Sequence, residues 1–359
     1  RFGVQGYAVP EEERKPLALT FVIDISGSMR KENRLELVKE ALRLLLNRLD
    51  ERDHVAVVVY GSDARLVLRP ISGSEQPRIW RVIKSLRTEG TTNAEAGLRL
   101  GYDVALQMYD PQAGNRVILC SDGVANTGET DADRLVEMVG GYVAEGINLS
   151  TFGFGMGNFN DALLERLADK GNGSYGYIDD VDEAQRLFVD EMTSTLQVIA
   201  YDAKVQVDFN PDVVAEYRLV GYENREIGDD EFRDDSVDAG ELGAGHTAAA
   251  IYQVRFRPES EGRIATIQLR WQDAETREVK EINGNFNTWD LYPSFEEGDA
   301  YYQNAVVVAA FAEILRASPY TDANLDVVAR LAGEVANRLE DDQVYEFADL
   351  ARQAARLNR

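Results

Sequence analysis

The chain has 359 residues, 44% of them hydrophobic, so its length and composition favour two or three domains with ordinary apolar cores. Its formal net charge of −25 at pH 7 argues against nucleic-acid binding, because contacts with phosphate groups need a basic surface. No apolar run reaches the roughly 18 residues that a membrane span needs, and the single cysteine, Cys120, excludes an internal disulfide.

The sequence begins at Arg1, with neither an initiator Met nor a signal peptide. We therefore expect a trimmed or mature product, and any upstream membrane anchor would lie outside this sequence. Residues 1–9 alternate weakly between apolar and polar side chains, as in a strand, and the charged linker Pro10–Pro16 follows.

Strand-like and helix-like patterns alternate from residue 17 to about residue 200. This alternation predicts a mostly parallel sheet with helices on both faces. The predicted strands are Leu17–Asp24, Val55–Tyr60, Arg65–Leu68 at an edge, Arg116–Cys120, Ile147–Phe154 and Tyr175–Ile178. The predicted helices are the apolar stripe Leu35–Leu49, then Ala94–Met108, Arg134–Val143, Phe159–Ala168 and Val181–Leu196.

The pattern changes after residue 200 to strand-like runs that no long helix separates, which predicts an antiparallel β module. The acidic, Gly-rich stretch Ile227–Gly245 indicates a long exposed loop, and the chain becomes helical from Tyr301 onward. The predicted strands are Ala203–Phe209, Ala215–Val220, Ala249–Phe256 and Ile264–Trp271, and the predicted helices are Ala305–Leu315, Leu325–Leu339 and Val344–Leu357. The fold class is therefore α/β, with a doubly wound, mostly parallel sheet, an antiparallel β-sandwich module and a C-terminal helical segment.

Oxygen-bearing side chains occupy three predicted loops at one edge of the parallel sheet. In open α/β sheets, ligands bind in the crevice at the carboxyl ends of the strands. Carboxylate and hydroxyl oxygens suit Mg²⁺ or Ca²⁺ and not a soft metal. Two carboxylates would balance the charge of one such cation, and a coordination position would stay open for an incoming acidic group. The predicted site residues are Asp24, Ser26, Ser28, Thr92 and Asp122.

These loops resemble the metal-ion-dependent adhesion site (MIDAS) of von Willebrand factor type A (VWA) domains. The matching sequences are Asp-Ile-Ser-Gly-Ser at residues 24–28, Gly-Thr-Thr at 90–92 and Ser-Asp-Gly at 121–123. The resemblance implies that Ser26, Ser28 and Thr92 bind the metal directly, and that the two aspartates act directly or through bound waters. Thr91 competes for the threonine role, but the spacing to Gly97-Leu98 favours Thr92. The implied cofactor is one divalent cation, Mg²⁺ or Ca²⁺, with Mn²⁺ as a further option.

Other stretches resemble the bacterial YfbK-type VWA family, whose members are usually cell-envelope proteins and often lipoproteins. The matching stretches are Phe152–Asn158, Ala168–Gly173, Gly221–Arg225 and Asp238–His246. The resemblance implies a VWA domain at residues 17–200, inserted into a β-sandwich module made of residues 1–16 and 201–292. Residues 293–359 would form a C-terminal helical segment, and the location would be the cell surface, the envelope or the outside of the cell.

The other candidate motifs in the sequence do not support nucleotide binding or catalysis. The run Gly153–Gly157 imitates a dinucleotide fingerprint, but its third glycine would fall on Asn160 and its strand comes late in the sheet. A phosphatase of the aspartyl-phosphate type would need a second aspartate where Ser26 stands. Serine hydrolysis needs a base, and we expect both histidines, His54 and His246, to be structural.

The sequence therefore predicts a protein that binds and does not catalyse. The cation at the MIDAS would ligate an acidic side chain of a partner protein, as in adhesion or scaffolding at the bacterial cell envelope. The alternative is an accessory subunit of an ATPase-driven assembly or chelatase-like machine, and a hydrolytic enzyme is the third option.

An acidic cluster in the β module indicates a solvated loop, with a second Ca²⁺ site as the alternative. Its members are Asp229, Asp230, Glu231, Asp234, Asp235, Asp238 and Glu241.

Overall fold

The structure is a computed structural model that describes residues 1–122, 132–155, 161–190, 197–221, 228, 231–234, 237, 239–321 and 323–358. The strands are β1 (Phe2–Gln5), β2 (Leu17–Asp24), β3 (His54–Tyr60), β4 (Ala64–Ser72), β5 (Gly114–Ser121), β6 (Asn148–Phe154), β7 (Tyr175–Ile178), β8 (Val198–Phe209), β9 (Val214–Val220), β10 (Leu242–Gly243), β11 (Thr247–Phe256), β12 (Arg263–Asp273) and β13 (Val279–Asn287). The helices are α1 (Arg34–Leu46), α2 (Gln76–Ser85), α3 (Ala94–Gln107), α4 (Ala132–Val143), α5 (Asp161–Lys170), α6 (Val181–Gln185), α7 (Ala300–Leu315), α8 (Leu325–Leu339) and α9 (Asp342–Leu357).

Strand β2 lies inside a sheet with the order β4-β3-β2-β5-β6-β7. It pairs in parallel with β3 and β5, and the parallel pairing continues through β6 to β7. Only the edge pair of β3 and β4 is antiparallel within this sheet. Strand β2 is buried along its whole length, as expected for a continuous apolar run in a parallel sheet covered on both faces. The doubly wound, mostly parallel sheet predicted from the sequence is confirmed.

Alternate side chains of β2 enter two separate apolar cores because successive side chains of a strand point to opposite faces. Phe21 and Ile23 pack with residues of α1, α2 and α6 on one face. Val22 packs with residues of α3, α4 and α5 on the other face. The sheet is thus held between two helical layers, which leaves its strand ends open for a site.

The antiparallel part of the chain contains two sheets, with the orders β1-β11-β9 and β10-β8-β12-β13. Phe209 and Ile264 from one sheet pack with Val214 and Tyr252 from the other, so the two sheets share an apolar core. Strand β1 pairs with β11, which places the N-terminus in the β module ahead of the parallel sheet. The proposed domain boundaries near residues 16, 200 and 292 stay a prediction.

The three C-terminal helices α7, α8 and α9 form their own apolar cluster, in which Ala332 and Ala348 are completely buried. The side chains of Asp299, Asn324 and Asp341 accept backbone N–H groups at the N-terminus of each helix in turn. None of the helices described here combines the length and the apolar character needed to cross a bilayer.

The stretch Ile227–Gly245 differs from the exposed loop that the sequence predicts. Phe232 is buried, and β10 at the end of the stretch pairs with β8. Lys204 is also buried, and its Nζ donates to the backbone carbonyl of Asp234 at 2.6 Å. The described part of this loop therefore packs against the β module.

The helix predicted at Val181–Leu196 is present as α6 followed by a π-helical turn, Arg186–Asp190, and residues 191–196 lie outside the described residues.

Candidate metal centre

The loop after β2 brings three of the predicted site residues together. The backbone N–H of Ser26 donates to Oδ1 of Asp24 at 2.8 Å, and the hydroxyls of Ser26 and Ser28 lie 2.9 Å apart. Asp24 is fully buried and Ser26 nearly so, whereas Ser28 is half-buried. A carboxylate and two hydroxyls thus converge at the carboxyl end of β2.

The threonine loop packs directly on the β2 loop. The N–H of Glu89 donates to the carbonyl of Ile25 at 2.6 Å, and the N–H of Gly27 donates to the carbonyl of Gly90 at 3.2 Å. Within this loop Thr92 is buried, while Thr91 is exposed and its hydroxyl contacts that of Ser62 at 3.3 Å. The burial of Thr92 suits the ligand role that the sequence predicts for it.

Asp122 follows the end of β5 and is completely buried beside the β2 loop. The hydroxyl of the preceding residue, Ser121, donates to Oδ2 of Asp24 at 2.9 Å, so the ends of β2 and β5 are linked. Burial, with a smaller contribution from the Asp122 carboxylate, raises the pKa of Asp24 to about 6 against the opposing hydrogen bonds from Ser26 and Ser121. The carboxylates of Asp24 and Asp122 therefore lie close together in a region that water hardly reaches.

The two oxygens of Asp122 have different surroundings. Oδ2 accepts a hydrogen bond from Nη1 of Arg34 at 2.9 Å, whereas buried Oδ1 has no hydrogen-bond partner among the residues that the structure describes. An unsatisfied buried acceptor is costly, and a cation is one group that would satisfy it.

The donor set fits a hard divalent cation. Two aspartates and three hydroxyls offer only oxygen, the ligand type that Mg²⁺ and Ca²⁺ prefer. Over the described ranges, no group of three or more His, Cys, Asp or Glu side chains is placed to hold a metal ion. A cation at this edge would therefore depend on hydroxyl oxygens as much as on carboxylates.

Three residues near this edge are missing from the sequence-based site. Ser121 directly precedes the predicted ligand Asp122, so its place beside the site could have been predicted from the sequence. Tyr60 ends β3 and pairs in register with Asp24; burial, followed by the Asp24 carboxylate, raises the pKa of its hydroxyl. Arg34 gives no local signal, because its carboxylate partner is 88 positions away in the chain.

The two histidines that the sequence analysis assigns structural roles, and the single cysteine, show no sign of a catalytic role. His54 begins β3, at the end of that strand opposite to Tyr60. The backbone carbonyl of His246 accepts the N–H of Gly6 at 2.9 Å, which ties the β10–β11 loop to the N-terminal segment. Burial raises the pKa of the Cys120 thiol, which makes it a poor nucleophile.

Several motif residues lie outside the described residues: Gly123, Met156 to Asn158 and Asn160, Tyr222 to Arg225, and Asp229, Asp230, Asp235 and Asp238 of the acidic cluster.

The chain matches the family described as von Willebrand factor type A domain over residues 18–210, and the family described as uncharacterized protein YfbK, C-terminal, over residues 194–261. It is similar to the uncharacterized protein YfbK of Escherichia coli strain K12, with 37% identity over 328 residues that cover 86% of this chain and 56% of that protein. It is also similar to the human inter-alpha-trypsin inhibitor heavy chain H3, with 30% identity over 168 residues that cover 44% of this chain and 18% of that protein. This chain thus spans little more than half of the first relative and a small part of the second.

Among solved structures, the fold is similar to the von Willebrand factor type A protein from Catenulispora acidiphila. The TM-score is 0.54 at 19% identity, and the match covers 90% of this chain and 80% of that one. VWA domain proteins are generally protein-interaction modules that commonly bind a divalent metal at the MIDAS. Because the first family match spans more than half of the sequence, the chain belongs to the von Willebrand factor type A domain family.

Proposed function

We propose that this chain is a metal-dependent protein-binding protein of the cell envelope. A divalent cation held by oxygens of Asp24, Ser26, Ser28, Thr92 and Asp122 would ligate a carboxylate of a partner protein. Membership of a family of protein-interaction modules supports the binding role. The motifs shared with the YfbK-type family support the envelope location and an adhesion or scaffold role without turnover.

The unsatisfied Oδ1 atom of Asp122 carries the proposal. Among the described residues this buried oxygen has no hydrogen-bond donor, and it lies beside a second buried carboxylate on Asp24. When bound, a divalent cation would supply the missing positive charge and attract an incoming carboxylate. The protein contributes two fixed carboxylates and a hydroxyl pair, Ser26 and Ser28, at the rim of the sheet.

Thermal unfolding of the metal-free protein in EDTA, titrated with Mg²⁺, Ca²⁺ or Mn²⁺, tests the cation. Binding to the folded state alone stabilises it by about 2.7 kcal/mol at a hundredfold excess over Kd, a rise in Tm of about 5–10 °C. Asp24→Ala and Ser28→Ala should abolish this rise. Ser74→Ala is the matched control, because the Ser72 and Ser74 hydroxyls also lie 2.9 Å apart but on an exposed turn.

A peptide carrying one aspartate, compared with the same peptide carrying asparagine, tests the ligand. Binding of only the aspartate peptide, and only with the cation present, is the expected result. No stabilisation by any of the three ions, or equal stabilisation of wild type and Asp24→Ala, would refute the metal site.

A further inference from the structure

Arg34 places a positive charge beside Asp122 of the candidate metal centre, at the N-terminus of a helix, where a positive charge is normally unfavourable. It is the first residue of α1, and a cation at a helix N-terminus opposes the helix dipole. Its side chain is nevertheless only 8% exposed, and Nη1 donates to Oδ2 of Asp122 at 2.9 Å. A buried arginine in this position needs a reason beyond the helix itself.

The backbone around Arg34 is shaped to bring its guanidinium inward. The two preceding residues, Glu32 and Asn33, have φ angles of +50° and +57°; this left-handed conformation is unfavourable for glutamate, whereas asparagine tolerates it better. Nη2 of Arg34 also meets Oε2 of Glu32 at 3.2 Å. The turn into α1 therefore accepts backbone strain in an arrangement that directs Arg34 toward the end of β5.

The end of β6 leaves room for the same side chain. Gly155 has a φ of +99°, and a Cβ atom added there would lie 2.2 Å from Nε of Arg34 and 2.6 Å from its Cδ. Any other residue at this position would displace the arginine. Three separate elements, the strained turn, Gly155 and Asp122, thus define one position for the guanidinium.

We propose that Arg34 is a built-in counter-cation of this site, which neutralises Asp122 in the metal-free protein and competes there with the divalent cation. The inference rests on the proposed function, since it takes Asp122 as part of the metal centre. Two buried carboxylates without any cation would repel each other, and the guanidinium removes part of that repulsion. The same positive charge repels an arriving Mg²⁺, so metal affinity is set lower than the carboxylates alone would give.

The test measures binding of Mg²⁺ and of Mn²⁺ by titration calorimetry to wild type, Arg34→Met and Arg34→Gln. Both variants remove the charge, and glutamine keeps a donor for Asp122 in case the methionine variant fails to fold. Both should bind the ions at least about tenfold more tightly than wild type. In EDTA both should melt about 5 °C or more below wild type, and saturating Mg²⁺ should narrow that gap. Arg43→Met is the matched control, since Arg43 lies on the same helix, half-exposed and paired with Glu40.

The outcomes separate this inference from the proposed function. If wild type binds Mg²⁺ and the Arg34 variants bind it no more tightly, the metal site stands and the counter-cation role is refuted. If only the variants bind, the counter-cation role is supported and a functional cation in the natural protein is not. If no protein binds either ion, both proposals fail.

Discussion

Asp24 is buried beside a second carboxylate, and this has a consequence for stability that can be measured. Its pKa is raised to about 6 in the folded, metal-free protein, from the ordinary 3.8 of an unfolded chain. Between pH 4 and pH 6 the folded protein therefore holds a proton that the unfolded chain has lost. The stability that this proton gives is present below pH 4 and is lost as the pH rises through about 6.

Asp24→Asn isolates this effect, because asparagine keeps the shape of the side chain and cannot ionise. In EDTA, the unfolding free energy of the variant relative to wild type should rise by about 2.4 kcal/mol from pH 4 to pH 7. Mg²⁺ should reduce the rise, because a cation stabilises the ionised carboxylate of wild type. Denaturant titrations at four pH values would measure it. A difference that does not change with pH would show that Asp24 titrates normally.

The residues of the site differ in how well their positions can be predicted from the sequence. Asp24, Ser26 and Ser28 stand directly after an apolar strand, so their place at a sheet edge can be read from neighbouring positions. Arg34 looks like the exposed charge that often begins a surface helix, and only the fold brings it to Asp122. A buried ion pair between distant positions leaves no local pattern.

Among the elements, the linker into β2 is held to the parallel sheet by a buried ion pair. Arg14 donates to both oxygens of Asp53, at 3.0 and 2.9 Å, and both side chains are essentially inaccessible. Asp53 also accepts the backbone N–H groups of Leu17 and Asp50, each at 2.9 Å. One carboxylate thus joins the linker, the start of β2 and the turn before β3, at the edge opposite the metal centre.

Replacing Asp53 by asparagine should lower the unfolding free energy by about 3–5 kcal/mol, because a buried guanidinium would lose its counter-charge. Asp50→Asn is the control. That carboxylate is 40% exposed and 3.5 Å from Arg14, so its loss should cost less than about 1 kcal/mol. Denaturant titration gives both values, and Mg²⁺ affinity should stay at the wild-type level in both variants. Equal losses in the two variants would show that burial of the Arg14 pair contributes little.

The elements that the sequence missed are those that bury few side chains. Helix α2 buries only Ile79 and Ile83 along its ten residues. Strand β13 is exposed over most of its length and contains Gly284, so the alternation that marks a half-buried strand is absent. By contrast β2 and α8 were predicted to the residue, since each carries a clear apolar pattern.

At the scale of the whole molecule, the parallel sheet lies in the sequence between strands that pair with each other. Strand β1 precedes it and β11 follows it, yet Phe2 pairs with Ala250. The aromatic ring of Phe2 also meets that of Phe286 in the second sheet, with the ring centres 5.7 Å apart. The YfbK-type resemblance implies that residues 1–9 form a strand of the β module, but neither it nor the weak alternation of these residues identifies β11 as the partner strand.

A partly buried ion pair joins the C-terminal helices to the β module. Nη2 of Arg218 on β9 lies 2.8 Å from Oε2 of Glu313 on α7, and Glu313 is only 5% exposed. The hydroxyl of Ser318 donates to the same oxygen at 2.7 Å, and the guanidinium of Arg218 stacks over the ring of Tyr320. The turn after α7 is thereby fixed to the sheet together with the helix.

Glu313→Gln should loosen this junction by about 1–3 kcal/mol without unfolding either part, because the Arg218 guanidinium would lose its charged partner. Limited proteolysis should then cleave the turn between α7 and α8 several times faster than in wild type, since local opening exposes it. Glu216→Gln is the control, because Glu216 lies on the same strand but forms its ion pair with Arg255 on the exposed surface. If both variants are cleaved at the wild-type rate, apolar packing and not the Arg218–Glu313 pair holds the helices to the sheet.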